Sequence, residues 1–188
     1  MVNITRIYTR GGDTGKTSLS TGQRVAKFNP RIAAYGTVEE ANAALGLARL
    51  HLDAGEVDRL LERVQNDLFD VGADLCTPEQ SNPKHTPLRV TPGQVEWLEQ
   101  EIDRLNENLA PLKSFILPGG TAVAANLHMA RTIARRAERE ASELASEEEL
   151  NAEAVRYLNR VSDLLYVLSR HVNDNGAGDV LWKPGANR

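Results

Sequence analysis

The sequence predicts an all-α fold, a bundle of five amphipathic helices, and three observations carry that expectation. Val57, Leu60, Leu61, Val64, Leu68, Val71 and Leu75 recur at i, i+3, i+4 spacing, which is one face of a sustained helix. Alanine is abundant while aromatic residues make up only 5% of the chain, a composition that suits closely packed helices. Beyond a weak polar–apolar alternation at residues 3–8, hardly anything reads as strand.

Each element has its own signal. The first helix is expected at 31–52, after the helix-discouraging pair Asn29–Pro30 and before the turn Asp53-Ala54-Gly55-Glu56. The second, 56–75, carries the leucine–valine ladder. Four prolines between positions 76 and 92 then mark a long polar loop. Thr91 followed by Pro92 reads as an N-cap with proline at the first helical position. The third helix uses Val95, Leu98, Ile102, Leu105 and Leu109. Pro118, Gly119 and Gly120 break the pattern before a fourth helix at 122–144, whose stripe is Val123, Leu127, Ala130, Ala134, Ala137, Ala141 and Leu144. That alanine seam predicts two close neighbours. An acidic turn leads to the fifth helix, 152–172, built on Val155, Leu158, Leu165, Leu168 and Val172 and ended by the glycines at 176 and 178. No internal repeat or second domain is visible. The chain is expected to be one unit, 1–188, with an N-terminal loop at 1–30, the bundle at 31–175 and a tail at 176–188.

Composition excludes several classes. A chain of 188 residues can bury a substantial single core. Its net charge of −4 argues against a general nucleic-acid binder. The single cysteine, Cys76, cannot form an internal disulfide, and no Cys/His cluster suggests zinc. No secretory apolar region opens the chain, and no run approaches the roughly 18 apolar residues of a membrane span. A cytoplasmic protein with neither membrane nor nucleic acid as partner is expected.

The stretch YTRGGDTGKTSL, 8–19, looks at first like a P-loop. That pattern needs a glycine five positions before Gly15, where Arg10 stands, and a helix beginning at Lys16, where the sequence is a poor helix former. What remains is chemical. Gly11, Gly12 and Gly15 free the backbone to wrap an anion, and Thr9, Thr17 and Ser18 offer hydroxyls. The same residues also suit a solvated turn, and composition alone leaves 1–30 as either a disordered arm or a functional lid.

In the fourth helix Arg131, Arg135 and Arg139 fall at i, i+4, i+8 with Glu138 beside them, while Arg136 points elsewhere. Such neighbours repel by about 0.2–0.5 kcal/mol per pair, and a polyphosphate would reverse the sign. A solvated face balanced by Glu138, Glu140 and Glu143 is the alternative. The fifth helix places Asn159, Arg160, Ser162 and Asp163 within an apolar pattern, where Asn159 suits a helix–helix hydrogen bond or a ligand contact. Glu39, Glu40 and Asn42 adjoin apolar positions on the first helix. His51, His85, His128 and His171 show no ligand or triad spacing and are assigned no role. Phe115, Ile116 and Leu117 are apolar where a loop should be polar; they either pack under the bundle end or face a large ligand.

Taken in order, YTRGGDTGKTSL, AYGTVEEANAALGLAR, LFDVGADL, FILPGG, ARTIARRAER and RYLNRVSDLLYVLSR resemble the PduO-type ATP:cob(I)alamin adenosyltransferases over nearly the whole chain. The resemblance implies a homotrimer of five-helix bundles binding ATP and corrinoid between subunits, with the N-terminal segment ordered over ATP. It implies an ATP loop of Thr9, Arg10, Gly11, Gly12, Asp13, Thr17 and Lys27. Arg135, Arg136, Ala137, Glu138, Arg139 and Asn159 match the family's further nucleotide contacts. Arg131 matches an arginine that pairs across the interface with an acid of the first helix, here Glu39. Phe115 matches the aromatic residue that fills the lower face of the corrin. Gly11 stands where the family pattern has threonine, Glu39 where it has aspartate, and Ala26 where proline often precedes the lysine. The implied reaction is attack of cob(I)alamin on the 5′-carbon of ATP, giving adenosylcobalamin and triphosphate, with Mg²⁺ carried by the phosphates and Glu138 its nearest candidate ligand. Delivery of product to a dependent mutase or dehydratase is a further implication. An ATP-dependent phosphotransferase and a non-catalytic nucleotide or corrinoid carrier are the competing classes.

Overall fold

The computed structural model describes residues 5–83 and 85–188, and its helices are α1 (Pro30–Arg49), α2 (Glu56–Leu75), α3 (Pro92–Asn106), α4 (Ala122–Glu147) and α5 (Ala152–His171). Local chemistry explains the starts. The Asn29, Thr121 and Asn151 side chains accept from the N–H groups of Arg31, Ala124 and Glu153, satisfying donors that a first turn leaves orphaned. At α3, Gln94 Oε1 reaches back to the Thr91 N–H at 2.9 Å.

The ends depart from expectation by a few residues. α1 stops at Arg49 rather than 52, because His51 and Leu52 turn tightly onto Ala48 and Arg49 carbonyls. α3 stops at Asn106, with Leu109 folding back onto the core through a similar turn. α4 runs on to Glu147 instead of 144, since Arg31 grips Glu148 at 2.6 Å just beyond it. α5 ends at His171, one residue short of the expected 172.

α4 is the hub, packed between α1 and α5; α2 flanks α1, and α3 and α2 flank α5. Buried Ala34, Ala41 and Ala48 on α1 and Ala130, Ala134, Ala137 and Ala141 on α4 keep the interhelical gap small. The expected two close neighbours of the alanine seam are therefore α1 and α5. Leu61, Leu68, Leu98, Leu127, Leu158 and Leu165 fill the core between the layers. Asp74, 2% exposed, accepts from Arg89 at 2.7 Å, the Val90 N–H at 2.8 Å and Asn151 at 2.7 Å. One buried carboxylate thus pins the proline-rich loop to the start of α5.

The N-terminal region holds strand that the sequence reading missed. β1 (Lys16–Ser18) and β2 (Arg24–Ala26) form an antiparallel hairpin with Thr17 opposite Val25, and Gly22 takes a left-handed φ of 84° in its turn. Three-residue strands are too short for a period-2 pattern to register. Of the alternation at 3–8, residues 3 and 4 lie outside the described residues and 5–8 form no strand.

Candidate functional site

The glycine loop is ordered and stitched to itself. Asp13 and Gly15 N–H groups bond back to Arg10 and Gly12 carbonyls, and Lys27 N–H bonds to Gly15 O at 2.9 Å. Arg24, not singled out by the sequence reading, donates to the Gly11 carbonyl, to Lys16 O and to Ser18 Oγ, closing the loop. Gly12 lies close under the Lys27 side chain, where a Cβ would stand 3.1 Å from Nζ. Arg10 holds a left-handed φ of 59° and lies over the Tyr8 ring. Thr9, Arg10, Gly11, Asp13 and Lys27 are exposed, and Gly12 and Thr17 half-buried. The loop is neither a P-loop nor a free arm. Its tether to the bundle is Leu19, which is buried, and Ser20, which bonds to Cys76 O and Thr77 Oγ1 at the end of α2.

The arginine row on α4 lacks the balance expected of a solvated face. Among the described residues, Arg131, Arg135 and Arg139 have no carboxylate within ion-pair distance. Glu140 instead accepts from Thr37, and Glu138 accepts from Asn159 Nδ2 at 2.8 Å. Arg136 pairs with Glu40 of α1, so it is engaged within the chain. Arg131 is half-buried against Tyr166, its Nε without a partner; burial, then the Arg135 charge, push its guanidinium below the ordinary value. Ala137 is fully buried and spaces the row from the core.

Glu138 and Asn159 line a groove of about 640 Å³ between the end of α4 and the start of α5, with Val155, Arg156 and Arg160. Arg160 donates to Asn159 Oδ1 and pairs with Glu99 at 2.8 Å, which fixes the amide. The Asn159 alternatives merge here: it makes a helix–helix hydrogen bond and also faces a groove. Burial pushes the nearby Asp163 carboxyl up, Arg160 opposes, and the Glu138 charge adds to the rise.

Phe115 does not pack under the bundle. It is 77% exposed, with its ring centroid 6.0 Å from that of Trp182 in the tail. Ile116 forms an antiparallel bridge with Leu181, a pairing no pattern in the sequence announced. Glu39 is exposed and has no ion-pair partner among the described residues; it lines a largely apolar cleft of about 320 Å³ with Tyr35, Leu68, Phe69 and Cys76. No hydrogen bond or ion pair among the described residues joins the glycine loop to the α4 row, or Glu39 to Arg131. One chain brings together Arg135, Glu138, Arg139 and Asn159, and separately the loop residues; it does not join the two sets.

Residues 7–172 match the sequence profile of the cobalamin adenosyltransferase family. The chain belongs to that family. A corrinoid adenosyltransferase of Mycobacterium tuberculosis is 51% identical over 191 residues, spanning 100% of this chain and 97% of its own length. That of Bacillus subtilis is 40% identical over 186 residues, 96% of this chain and 94% of its own. Among solved structures, a phenylalanine-to-alanine variant of the PduO-type ATP:corrinoid adenosyltransferase from Lactobacillus reuteri, complexed with cobalamin and ATP, superimposes with a TM-score of 0.86. It is 38% identical over 95% of this chain and 99% of that chain. An arginine-to-lysine variant of the same enzyme complexed with ATP gives a TM-score of 0.87 at 37% identity over 95% and 100% of the two chains. As a member of the cobalamin adenosyltransferases, the chain is an adenosyltransferase with their PduO-type helical fold.

Proposed function

We propose that this adenosyltransferase moves the 5′-deoxyadenosyl group of ATP to cob(I)alamin at sites between the subunits of a homotrimer. One observation carries the reading: Arg131, Arg135 and Arg139 stand on one helix without carboxylate partners, beside the Glu138–Asn159 pair that lines a groove. A row of unpartnered guanidinium groups is electrostatically incomplete, and a triphosphate completes it. The glycine loop is tethered at the far end of α2, and among the described residues no hydrogen bond or ion pair joins it to that row. A loop from a neighbouring subunit supplies the second half, with Thr9, Arg10, Gly11, Gly12, Asp13, Thr17 and Lys27 around the phosphates. The exposed apolar residues Leu47, Leu50 and Met129, with Glu39 and Arg131, which form no ion pair among the described residues, give the subunits a surface to share.

In the reaction the cobalt of the corrinoid substrate donates an electron pair to C5′. The Co–C bond forms as the C5′–O bond breaks, and the electrons leave on triphosphate. No protein nucleophile or base is required. The protein contributes position and charge. Lys27, Arg135 and Arg139 stabilise the departing triphosphate as its charge grows. Among the described residues no cluster of three His, Cys, Asp or Glu side chains could hold a metal, so magnesium would arrive on the phosphates with Glu138 the carboxylate at hand. Phe115 offers an exposed apolar ring to the lower face of the corrin, where it keeps the lower axial base off cobalt, favouring a four-coordinate cob(II) state that is easier to reduce.

Incubation with cob(II)alamin, a reductant and Mg-ATP tests the reading: photolabile adenosylcobalamin and triphosphate are expected in equal amounts. Release of ADP instead would mark a phosphotransferase, and stoichiometric binding without turnover a carrier. Handover to a dependent mutase or dehydratase belongs to the same proposal; the apo-mutase should gain activity even when a scavenger removes free cofactor.

A further inference from the structure

Residues 177–182 form a strap across the 114–117 loop, and the strap is held in an unusual way. Leu117 N–H bonds to Val180 O at 2.7 Å, Trp182 N–H to Phe115 O at 2.8 Å, and Ser114 Oγ to Trp182 O at 2.8 Å. A pairing this short is not self-supporting. Hydrophobic burial does not hold it either: Val180, Leu181 and Trp182 are 43%, 50% and 43% exposed.

The anchor lies just upstream. Asp179 and Arg170 have side chains only 2% and 8% exposed, and Arg170 Nε meets Asp179 Oδ2 at 2.8 Å. The second arm of the guanidinium bonds to Ala110 O at 3.0 Å, and Asn173 Nδ2 reaches the other Asp179 oxygen at 3.3 Å. Asn173 also accepts from the Thr121 N–H at 2.9 Å, tying the same knot to the start of α4. The backbone is shaped around it. Gly176 takes φ 89°, and a Cβ there would lie 2.8 Å from Arg170 Nη2; a Cβ on Gly120, φ 98°, would lie 2.3 Å from Asn173.

We infer that the buried Arg170–Asp179 ion pair is a positioning device for corrinoid binding, clamping the strap so that Trp182 and Phe115 form one aromatic wall. This rests on the reading that the corrinoid lies against Phe115. The physical logic is a division of labour. The wall must stay exposed to receive a large apolar ligand, so its own burial cannot hold it in place. A desolvated ion pair at the other end of the strap can, because removing one partner leaves the other buried and unpaired. Arg170 and Asp179 touch no part of the ligand; they act through the position of Trp182.

The test uses Asp179→Ala and Ser114→Ala in a Trp97→Phe background, where Trp182 is the sole tryptophan. Asp179→Ala should raise acrylamide quenching of Trp182 and raise the KM for cob(II)alamin about tenfold or more, as displaced positioning groups do. It should also shrink the four-coordinate cob(II)alamin signal formed with ATP, while the Kd for ATP stays within about twofold. Ser114→Ala, which removes one tether near the surface, should move the same readouts in the same direction by less, and keeps the test open if Asp179→Ala does not fold. Unchanged quenching and KM in a folded variant would overturn the inference. So would ATP and corrinoid affinities that fall together with Tm, the signature of a merely structural pair. If the unsubstituted protein makes no adenosylcobalamin, the functional reading fails, while the quenching difference still reports on the clamp.

Discussion

Arg135→Ala separates binding energy from folding energy. Arg135 is exposed and has no carboxylate partner, and its charge depresses the half-buried Arg131 one turn away. Removing it breaks no hydrogen bond or ion pair among the described residues; it gives up a distant attraction for the Asp163 carboxylate and relieves like-charge repulsion with Arg131 of a few tenths of a kcal/mol. Stability should therefore stay within about 0.5 kcal/mol of the parent. With triphosphate bound the sign reverses, since the same guanidinium becomes a charge-assisted contact in a water-poor site. Truncating such a contact costs about 2–5 kcal/mol, or roughly 30-fold to several-thousand-fold in kcat/KM for ATP at 1.36 kcal/mol per decade. Thermal unfolding without ligand, followed by initial rates over an ATP titration, reads both halves. The parent should gain Tm with ATP and the variant much less. Unaltered ATP kinetics with a parent-like Tm gain would remove Arg135, and with it the arginine row, from the site.

Phe115→Ala should weaken formation of four-coordinate cob(II)alamin in the ATP complex while ATP affinity is kept; an undiminished visible or EPR signal would refute the role of the ring. Glu39→Arg and Arg131→Glu should each loosen the oligomer and slow turnover, and the double exchange should restore both. Sedimentation velocity gives the answer, and a double variant no better than the singles would argue against the cross-subunit pair. His128 is 2% exposed with both ring nitrogens unpartnered; burial, then the Arg131 charge, hold its imidazole below the ordinary value against the pull of Asp179. Its folded pKa thus lies under the unfolded value of about 6.5, so this stability is present above that pH and is lost as pH falls through the folded pKa. His128→Leu should flatten that acid limb and leave stability at neutral pH equal or higher by about 1 kcal/mol, as two unpaired polar atoms disappear. Urea unfolding at several pH values measures it, and an identical acid limb would contradict the account.

The helices were legible because their signals are local and long. The α2 ladder spans its whole helix, and Asn29, Thr91, Thr121 and Asn151 act within three residues of themselves. The β1–β2 hairpin was not legible, since a three-residue strand leaves no periodicity and Arg24 closes the loop by bonds to backbone at Gly11 and Lys16. In the candidate site, Arg131, Arg135, Arg139, Glu138 and Asn159 stood out as charge or amide misplaced on an amphipathic pattern. Whether the row was neutralised could not be read from spacing, because Glu140 turned to Thr37 and Glu138 to Asn159 across helix boundaries. Trp182 carried no signal, because the three apolar residues 180–182 are too short a run to show a period or a partner.

By itself the amino-acid order determined a five-helix protein, its core faces, its glycine loop and a strip of excess positive charge, all set by interactions between residues near one another in the chain. Tertiary structure alone decided that the tail runs beside Phe115, that Arg170 and Asp179 form a buried ion pair just upstream of it, and that Arg131, Arg135 and Arg139 meet no carboxylate among the described residues. The physical reason is separation. Arg170, paired with Asp179, reaches the Ala110 carbonyl sixty residues away, and only the packed bundle supplies the dry surroundings in which that contact outweighs hydration.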